Sequence, residues 1–510
     1  MGEIMRCAPG WGILAATLLS IFPTAQAALL PAKADTVPSM VLHQVRPIEV
    51  YLPEESAQDP KLRFETLYVL DGDWNAKIVA DTVNFMRQLG MMPPVIVVSV
   101  PNPLDAQGGN SRDHDLTPSP VAGELNSGGA ADFLQFLRTE LVPYVNGHYP
   151  SNGVNLVHGH SYGGLFLVYA LVNDPQLFDG YIVLDPAMSW DHHAVTAALA
   201  TKLAQLPTSG KAIYIAGRSG AGFKEMGLDG LQAAFQAKAA PTLHWTVASF
   251  EDETHDSLKL KGTYDGLKYL YGGYTQEPVE IGPSDGIVVK NWPIRLSVFG
   301  RRVRARYTRD GSNPTEASPL IDDGGISAED PESIRIKLLS NRGLFDQAIT
   351  LNIKSGVPLT PRAPGNAGSA DGAWHYAVYG AEAWPRLSHG RPISQGSTQH
   401  ELAFDTFKEK HFAVHVWRRV LIPEDGYYVF YMDAEHGRLK LDGRELMVRD
   451  GDAPHGTQTY LAPLRRGVYL LSLDVLRADD YSTLHAGVIQ CGDDKPEWWT
   501  QQPWLALDGR

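Results

Sequence analysis

The chain has 510 residues, too many for one ordinary domain, and its 44% hydrophobic and 20% charged content is that of a globular protein able to bury a sizeable core. Forty-four Lys and Arg against 58 Asp and Glu give a formal charge of −14, which argues against nucleic acid or an anionic membrane surface as partner. An acidic surface also gives no help in attracting anionic substrates, so their capture would need a local basic site.

At the start of the chain, Arg6 precedes the apolar run "GWGILAATLLSIF", and Ala25 and Ala27 occupy the small-residue positions of a cleavage site. The run is shorter than the about 20 residues a membrane-spanning helix needs. A signal peptide over residues 1–27 is expected, and with it export to the periplasm or beyond, with no membrane attachment after cleavage. Cys7 precedes the apolar run, whereas a lipid-anchor cysteine would follow it. The mature chain keeps only Cys491, so it has no intramolecular disulfide and is held by packing alone.

Over residues 41–274, apolar strand-like runs alternate with helical stretches: "TLYVLDG", "DTVNFMRQL", "PVIVVSV", "ADFLQFLRTELVPYV", "VNLVHGHS", "GLFLVYALV", "YIVLDP", "AIYIAG" and "LHWTVASF". This alternation predicts an α/β fold, a mostly parallel sheet covered by helices.

Within it, Gly159-His160-Ser161-Tyr162-Gly163 is a G-x-S-x-G pentapeptide between a strand, "VNLV", and an apolar helix. That is the setting of a nucleophile elbow, in which a sharp turn presents a serine Oγ beyond the carboxyl end of the sheet. The turn needs small neighbours two residues either side, here Gly159 and Gly163. The Tyr162 amide, at the helix start, is placed to face a developing oxyanion. A second donor is expected from the loop after "LYVL", where Gly72 permits a sharp turn and the Asp73 amide can face the nucleophile.

A serine hydroxyl needs a base within hydrogen-bond reach, and in such folds the chain order is serine, acid, histidine. His255 lies in a polar loop between the strand "LHWTVASF" and a closing helix and is the expected base. His192 and His193 are the alternatives, and His160 and His158 are too local and are read as shaping the elbow. No carboxylate directly follows "AIYIAG", so Glu225 is named as the acid, with Asp229, the local cluster Glu251, Asp252 and Glu253, or a Ser–His dyad left open. This chemistry calls for no metal and no cofactor.

After residue 274 the helical periodicity stops. Short β-type segments fill residues 280–354, "SGVPLTPRAPGNAGSADG" over 355–372 reads as a linker, and alternating strands fill 373–492 ahead of a tail over 493–510. Asp442-Gly443 marks a hairpin turn.

Four segments in order, "YVLDGDWN", "NSRDHDLTP", "GHSYGG" and "EDETHDS", resemble the putative-esterase family of α/β-hydrolases, which includes siderophore, feruloyl and acetyl-xylan esterases. The resemblance implies Ser161 as nucleophile, His255 as base, Asp73 and Tyr162 as oxyanion amides, and Arg112 and Asp113 as residues that hold the loop beside the cleft. "LDPAMSW" stands where siderophore-type members carry a Ser-Pro-Ser segment. "RARYTRDGSNPTEASPL" resembles the small C-terminal β-domain of chitobiases and β-hexosaminidases, and "EDGYYVFYMDAEHGRLKLDGRELM" the protective-antigen-type β-sandwich. Calcium-dependent members of the latter carry adjacent aspartates where this chain has Glu435-His436. Together these readings give an exported serine esterase acting on small-molecule or glycan-linked esters, with sugar contact through the β-domains. A siderophore trilactone esterase is the enzymatic alternative, and a glycan-binding or envelope scaffold with an inert hydrolase domain the non-enzymatic one.

Overall fold

The computed structural model describes residues 31–104, 110–124, 126–276, 280–283, 285–292, 294–299, 305–322, 325–328, 333–361, 373–387, 390–399, 407, 410–450, 458–479, 484–490 and 505–507. The expected signal segment, both cysteines and most of the expected tail lie outside them. The described residues divide into two compact units, one within 31–276 with 339–346, the other within 280–338 with 347–507.

In the first unit, eight strands form one sheet: β1 (Lys33–Ser39), β2 (Gln44–Tyr51), β3 (Phe64–Leu70), β4 (Val95–Val100), β5 (Ser151–His160), β6 (Gly180–Leu184), β7 (Ala212–Arg218) and β8 (His244–Phe250). Their order is β1-β2-β4-β3-β5-β6-β7-β8. The β1–β2 and β2–β4 pairs are antiparallel, and every other pair is parallel. β1 begins at Lys33, ahead of the boundary at residue 41 that the sequence suggested. The apolar runs of β3, β4 and β6 are buried along their whole length, as strands covered on both faces must be. One face packs the helices Gly72–Gln88 and Leu258–Leu270 through Val79, Val83, Leu267 and Leu270. The other packs Ala130–Phe136, Tyr162–Asn173 and Trp190–Lys202 through Phe133, Phe166 and Leu199. Because β3 and β5 to β8 run the same way, the residues that follow them gather at one edge of the sheet, where open α/β sheets bind ligands. This is the α/β-hydrolase architecture.

Residues 339–346 return to this unit from further along the chain. Arg342, 2% exposed, gives two hydrogen bonds to Glu65 of β3, Nη1 to Oε2 at 2.8 Å and Nη2 to Oε1 at 3.1 Å. The Tyr271 hydroxyl donates to the same Oε2 at 2.8 Å, and Phe345 packs edge-on against Tyr274. The bidentate geometry and the Tyr271 hydroxyl satisfy the buried Glu65 carboxylate, which is what lets such a charge pair stay in a core, while Arg342 Nε has no partner among the described residues.

The second unit is built of β-sheet. One sheet runs Ser394–Thr398, Trp374–Gly380, Phe412–Ile422, Gly467–Arg477, His436–Leu441, Arg444–Asp450. The expected hairpin joins the last two, with Asp442 and Gly443 at φ of 50° and 76°. Beside two three-stranded sheets, a second six-stranded sheet runs Asn352–Gly356, Asp285–Val289, Gln458–Leu464, Gly426–Ala434, Leu484–Gln490, Leu505–Leu507. It corrects the expectation of two separate β-domains, because strands from residues 280–354 and from residues 373–492 share it. The join is close: a Cβ on Gly286 would lie 2.3 Å from the Leu461 carbonyl oxygen, and Val288, Ile353, Tyr427 and Leu461 share one core. The expected linker is corrected at its start as well. Ser355 and Gly356 close a strand, Leu359 bridges to Leu464, and residues 362–372 lie outside the described residues.

Candidate active site

Ser161 stands between the end of β5 and the helix Tyr162–Asn173 with φ 59° and ψ −117°, a backbone conformation that L-residues seldom adopt. It is pinned there by backbone bonds on both sides: its N–H donates to the Leu184 carbonyl at 2.9 Å, and its carbonyl accepts from Leu165 at 3.0 Å and Ala187 at 3.2 Å. A Cβ on Gly159 would meet the Gly163 carbonyl at 2.6 Å, so the pentapeptide spacing is a packing requirement of the turn. Gly163 is buried in the first helical turn, where a Cβ would lie 3.3 Å from Asp71 Oδ2.

His255 follows β8 and lines the same cleft as Ser161 and Tyr162. Its Nδ1 lies 2.6 Å from Oδ2 of Asp185, the residue that follows β6. A carboxylate only accepts, so Nδ1 carries the proton and Nε2 presents a lone pair, the tautomer a base needs. Asp185 is fully buried, with φ 38°, and its amide donates to the Ala216 carbonyl at 2.7 Å. Burial would raise its pKa, but the hydrogen bonds from His255 and Arg218 outweigh burial and hold the carboxyl below its usual range.

This arrangement corrects the expected acid. Glu225 is an exposed residue at the end of the helix Ala221–Glu225, and His255 turns its Nδ1 to Asp185 instead. The other candidates are also engaged elsewhere or exposed: Asp229 caps the amide of Gly230, Glu253 accepts from the Ser257 hydroxyl, and Glu251 and Asp252 face solvent. His192 and His193 are exposed in a left-handed turn.

The two remaining histidines of the elbow strand tie it to the segment that carries His255. His160 Nε2 donates to the His255 carbonyl at 2.7 Å, and the two rings lie 4.3 Å apart. Burial, with the nearby His255, pushes the His160 pKa down to about 3, so the ring is neutral. His158, wholly buried and pushed down to about 4 for the same first reason, donates from Nε2 to Thr263 Oγ1 at 2.9 Å.

The second candidate donor region starts one residue after β3. Asp71 has φ 51° and receives the Trp74 and Asn75 amides on its carbonyl, while Gly72 and Asp73 form the first turn of the helix Gly72–Gln88. First-turn amides have no acceptor within their own helix, and this holds for Asp73 as for Tyr162 at the elbow. The Asp73 carboxylate accepts from the Asn102 amide at 2.9 Å. Gly72 is obligatory, since a Cβ there would lie 2.3 Å from Ser99 Oγ and 2.8 Å from the Val100 nitrogen. Arg112 holds this turn: its Nε and Nη2 reach Asp71 Oδ1 and Oδ2 at 2.8 and 3.0 Å, and its guanidinium lies 5.2 Å from the Trp74 ring and 4.9 Å from the Tyr162 ring. Asp113 is exposed and contributes its carbonyl to the Thr117 hydroxyl.

The cleft itself encloses about 650 Å³. Val121, Trp190 and Met226 give it apolar walls, and Glu124, Asp191 and Arg218 give it charge of both signs. Trp190 is set by its indole N–H on Ser119 and by an edge-on contact with Tyr162. Sequence reasoning passed over Asp185, Arg218, Asp71 and Trp190. Asp185 had a usable signal, as a carboxylate directly after the strand "YIVL", one strand earlier than the acid was sought. Among the described residues no group of three or more His, Cys, Asp or Glu side chains is placed to hold a metal ion.

Residues 39–255 match the family model described as Putative esterase. The sheet order and elbow of that part of the chain are those of an α/β-hydrolase domain, and its sequence is similar to that family. It resembles siderophore esterases in particular. The identity to siderophore triacetylfusarinine C esterase of Aspergillus fumigatus is 34% over 147 residues, 27% of this chain and 50% of that one. To siderophore enterobactin esterase of Emericella nidulans it is 31% over 147 residues, 25% of this chain and 48% of that one. The chain thus spans about half the length of these curated relatives. Among solved structures, an IroE-like serine hydrolase from Shewanella oneidensis aligns with a TM-score of 0.44 and 26% identity, over 48% of this chain and 82% of that one.

Proposed function

We propose that the chain is a serine carboxyl-ester hydrolase. Ser161 attacks the ester carbonyl while His255 Nε2 takes its proton, and Asp185 holds the ring and stabilises the imidazolium that forms. The Tyr162 and Asp73 amides face the tetrahedral oxyanion, the proton passes to the leaving alcohol, and water releases the acyl group by the same route in reverse. The observation that carries this reading is the 2.6 Å contact of His255 Nδ1 with the buried Asp185, in a cleft shared with a serine held at φ 59°. A fluorophosphonate should label the purified chain, and Ser161→Ala should remove the label. An unlabelled wild type would instead support an inert hydrolase domain in a binding or scaffold protein.

For the substrate we put siderophore esters first, because the curated relatives are named siderophore esterases. The second reading, esters carried on glycans, is supported by a strip of rings in the β-unit: Trp417 stacks with His375 at 5.6 Å and with His415 at 5.0 Å. Hydrolysis of a catecholate trilactone measured beside acetylated and feruloylated glycans by the same preparation separates the two. We place the activity outside the cytoplasm on the strength of residues 1–27, and an amino terminus at Ala28 in the mature protein would agree.

A further inference from the structure

Arg218, the last residue of β7, occupies the edge of the sheet where the sequence led one to look for an acid. Its Nε–H donates at 2.7 Å to Asp185 Oδ2, the same oxygen that accepts from His255 Nδ1 at 2.6 Å, and its backbone N–H approaches Oδ1 at 3.4 Å. The side chain is 27% exposed and lines the cleft, whereas the Asp185 side chain is 0% exposed. Water therefore does little to screen the carboxylate, and its charge is divided between the Arg218 guanidinium and the His255 imidazole.

None of the other charged groups around His255 is shown bonded to the Asp185 carboxylate. On its own loop Asp256 pairs with Lys259 of the following helix at 2.7 Å, His160 of β5 is neutral, and Glu124 and Asp191 lie on the cleft wall, Asp191 accepting from Ser119 at 2.6 Å. Arg218 is thus the group that competes directly with His255 for its acceptor.

Resting on the esterase reading above, we propose that Arg218 is a positioning residue that shares Asp185 with His255 and so sets the lowest pH at which His255 can take the proton of Ser161. A carboxylate relieved of Arg218 directs its whole charge at the imidazolium, which then holds its proton to higher pH. Since Arg218 stays charged throughout the working range, the bias is constant and needs no ligand.

The test is the pH dependence of the second-order rate at which a fluorophosphonate labels Ser161, in wild type, Arg218→Met and Arg218→Lys. Arg218→Met should move the acid limb upward by about one pH unit, and Arg218→Lys should fall between it and wild type. If Arg218→Met does not fold, Arg218→Gln, which keeps a donor and drops the charge, should show the same shift. A limb that stays in place while labelling falls equally at every pH would overturn the proposal, leaving Arg218 a structural prop. An unmoved limb with KM raised only for esters bearing a carboxylate would overturn it too, and make Arg218 a substrate contact. A wild type that is never labelled removes the esterase reading together with this one; a labelled wild type with an unmoved limb removes this one alone.

Discussion

Asp185 and His255, 70 residues apart in sequence and attached to β6 and β8, meet through a 2.6 Å hydrogen bond beneath the cleft. Asparagine at 185 would preserve shape but offer an amide N–H or a weaker acceptor to Nδ1, which favours the wrong tautomer. Asp185→Asn should lower kcat by about 10⁴-fold on an aryl acetate, while Glu225→Gln should leave it unchanged. Equal effects of the two substitutions would mean that the acid is misassigned.

His160 acts on the loop rather than on the substrate. Replacing it by Phe keeps a ring beneath His255 but removes the donor to the His255 carbonyl, so the imidazole is free to drift. Because a displacement of about 1 Å can cost about 10²-fold, His160→Phe should lose activity on that scale with little change in KM. His160→Gln, which retains an N–H, should recover part of it, and steady-state kinetics on the three chains provide the check.

The buried histidines also fix a pH dependence of stability. His158 and His160 have folded pKa values of about 4 and about 3, below their ordinary 6.5, so between these limits the unfolded chain binds more protons than the folded one. Stability therefore rises with pH through that window and is lost as pH falls below 6.5, by up to about 1.4 kcal/mol per pH unit for each ring. Urea midpoints measured from pH 7 to pH 5 should decline, and His158→Gln should make the decline shallower.

The Glu65–Arg342 pair makes a separate demand. Arg342→Met leaves a carboxylate buried without its cation and should destabilise the hydrolase unit by about 3–5 kcal/mol. Combining it with Glu65→Leu should recover most of that loss, because two apolar groups of similar size can replace a buried pair. Chemical denaturation followed by the fluorescence of this unit would show it, and additive losses in the double variant would contradict it.

What the sequence disclosed follows from the range of the forces involved. The elbow is local: Gly159, Ser161 and Gly163 fall within five residues, and the crowding that demands glycine at 159 comes from Gly163. The strands of the hydrolase were legible because parallel strands buried on both faces leave continuous apolar runs, as in β4. The acid was not, because the choice between β6 and β7 as its source depends on which loop reaches His255. Here β7 ends in Arg218, whose charge supports a carboxylate on the neighbouring strand. The β-rich half was legible in its strands but not in its partition, since the parallel pairing of Asp285–Val289 with Gln458–Leu464 joins segments more than 150 residues apart.

The polypeptide of the hydrolase unit is written in two instalments, with the first stretch of the β-rich unit, within residues 280–338, read out between them. A cloning primer that copies only the first instalment leaves Glu65 without its guanidinium, the same loss that Arg342→Met imposes.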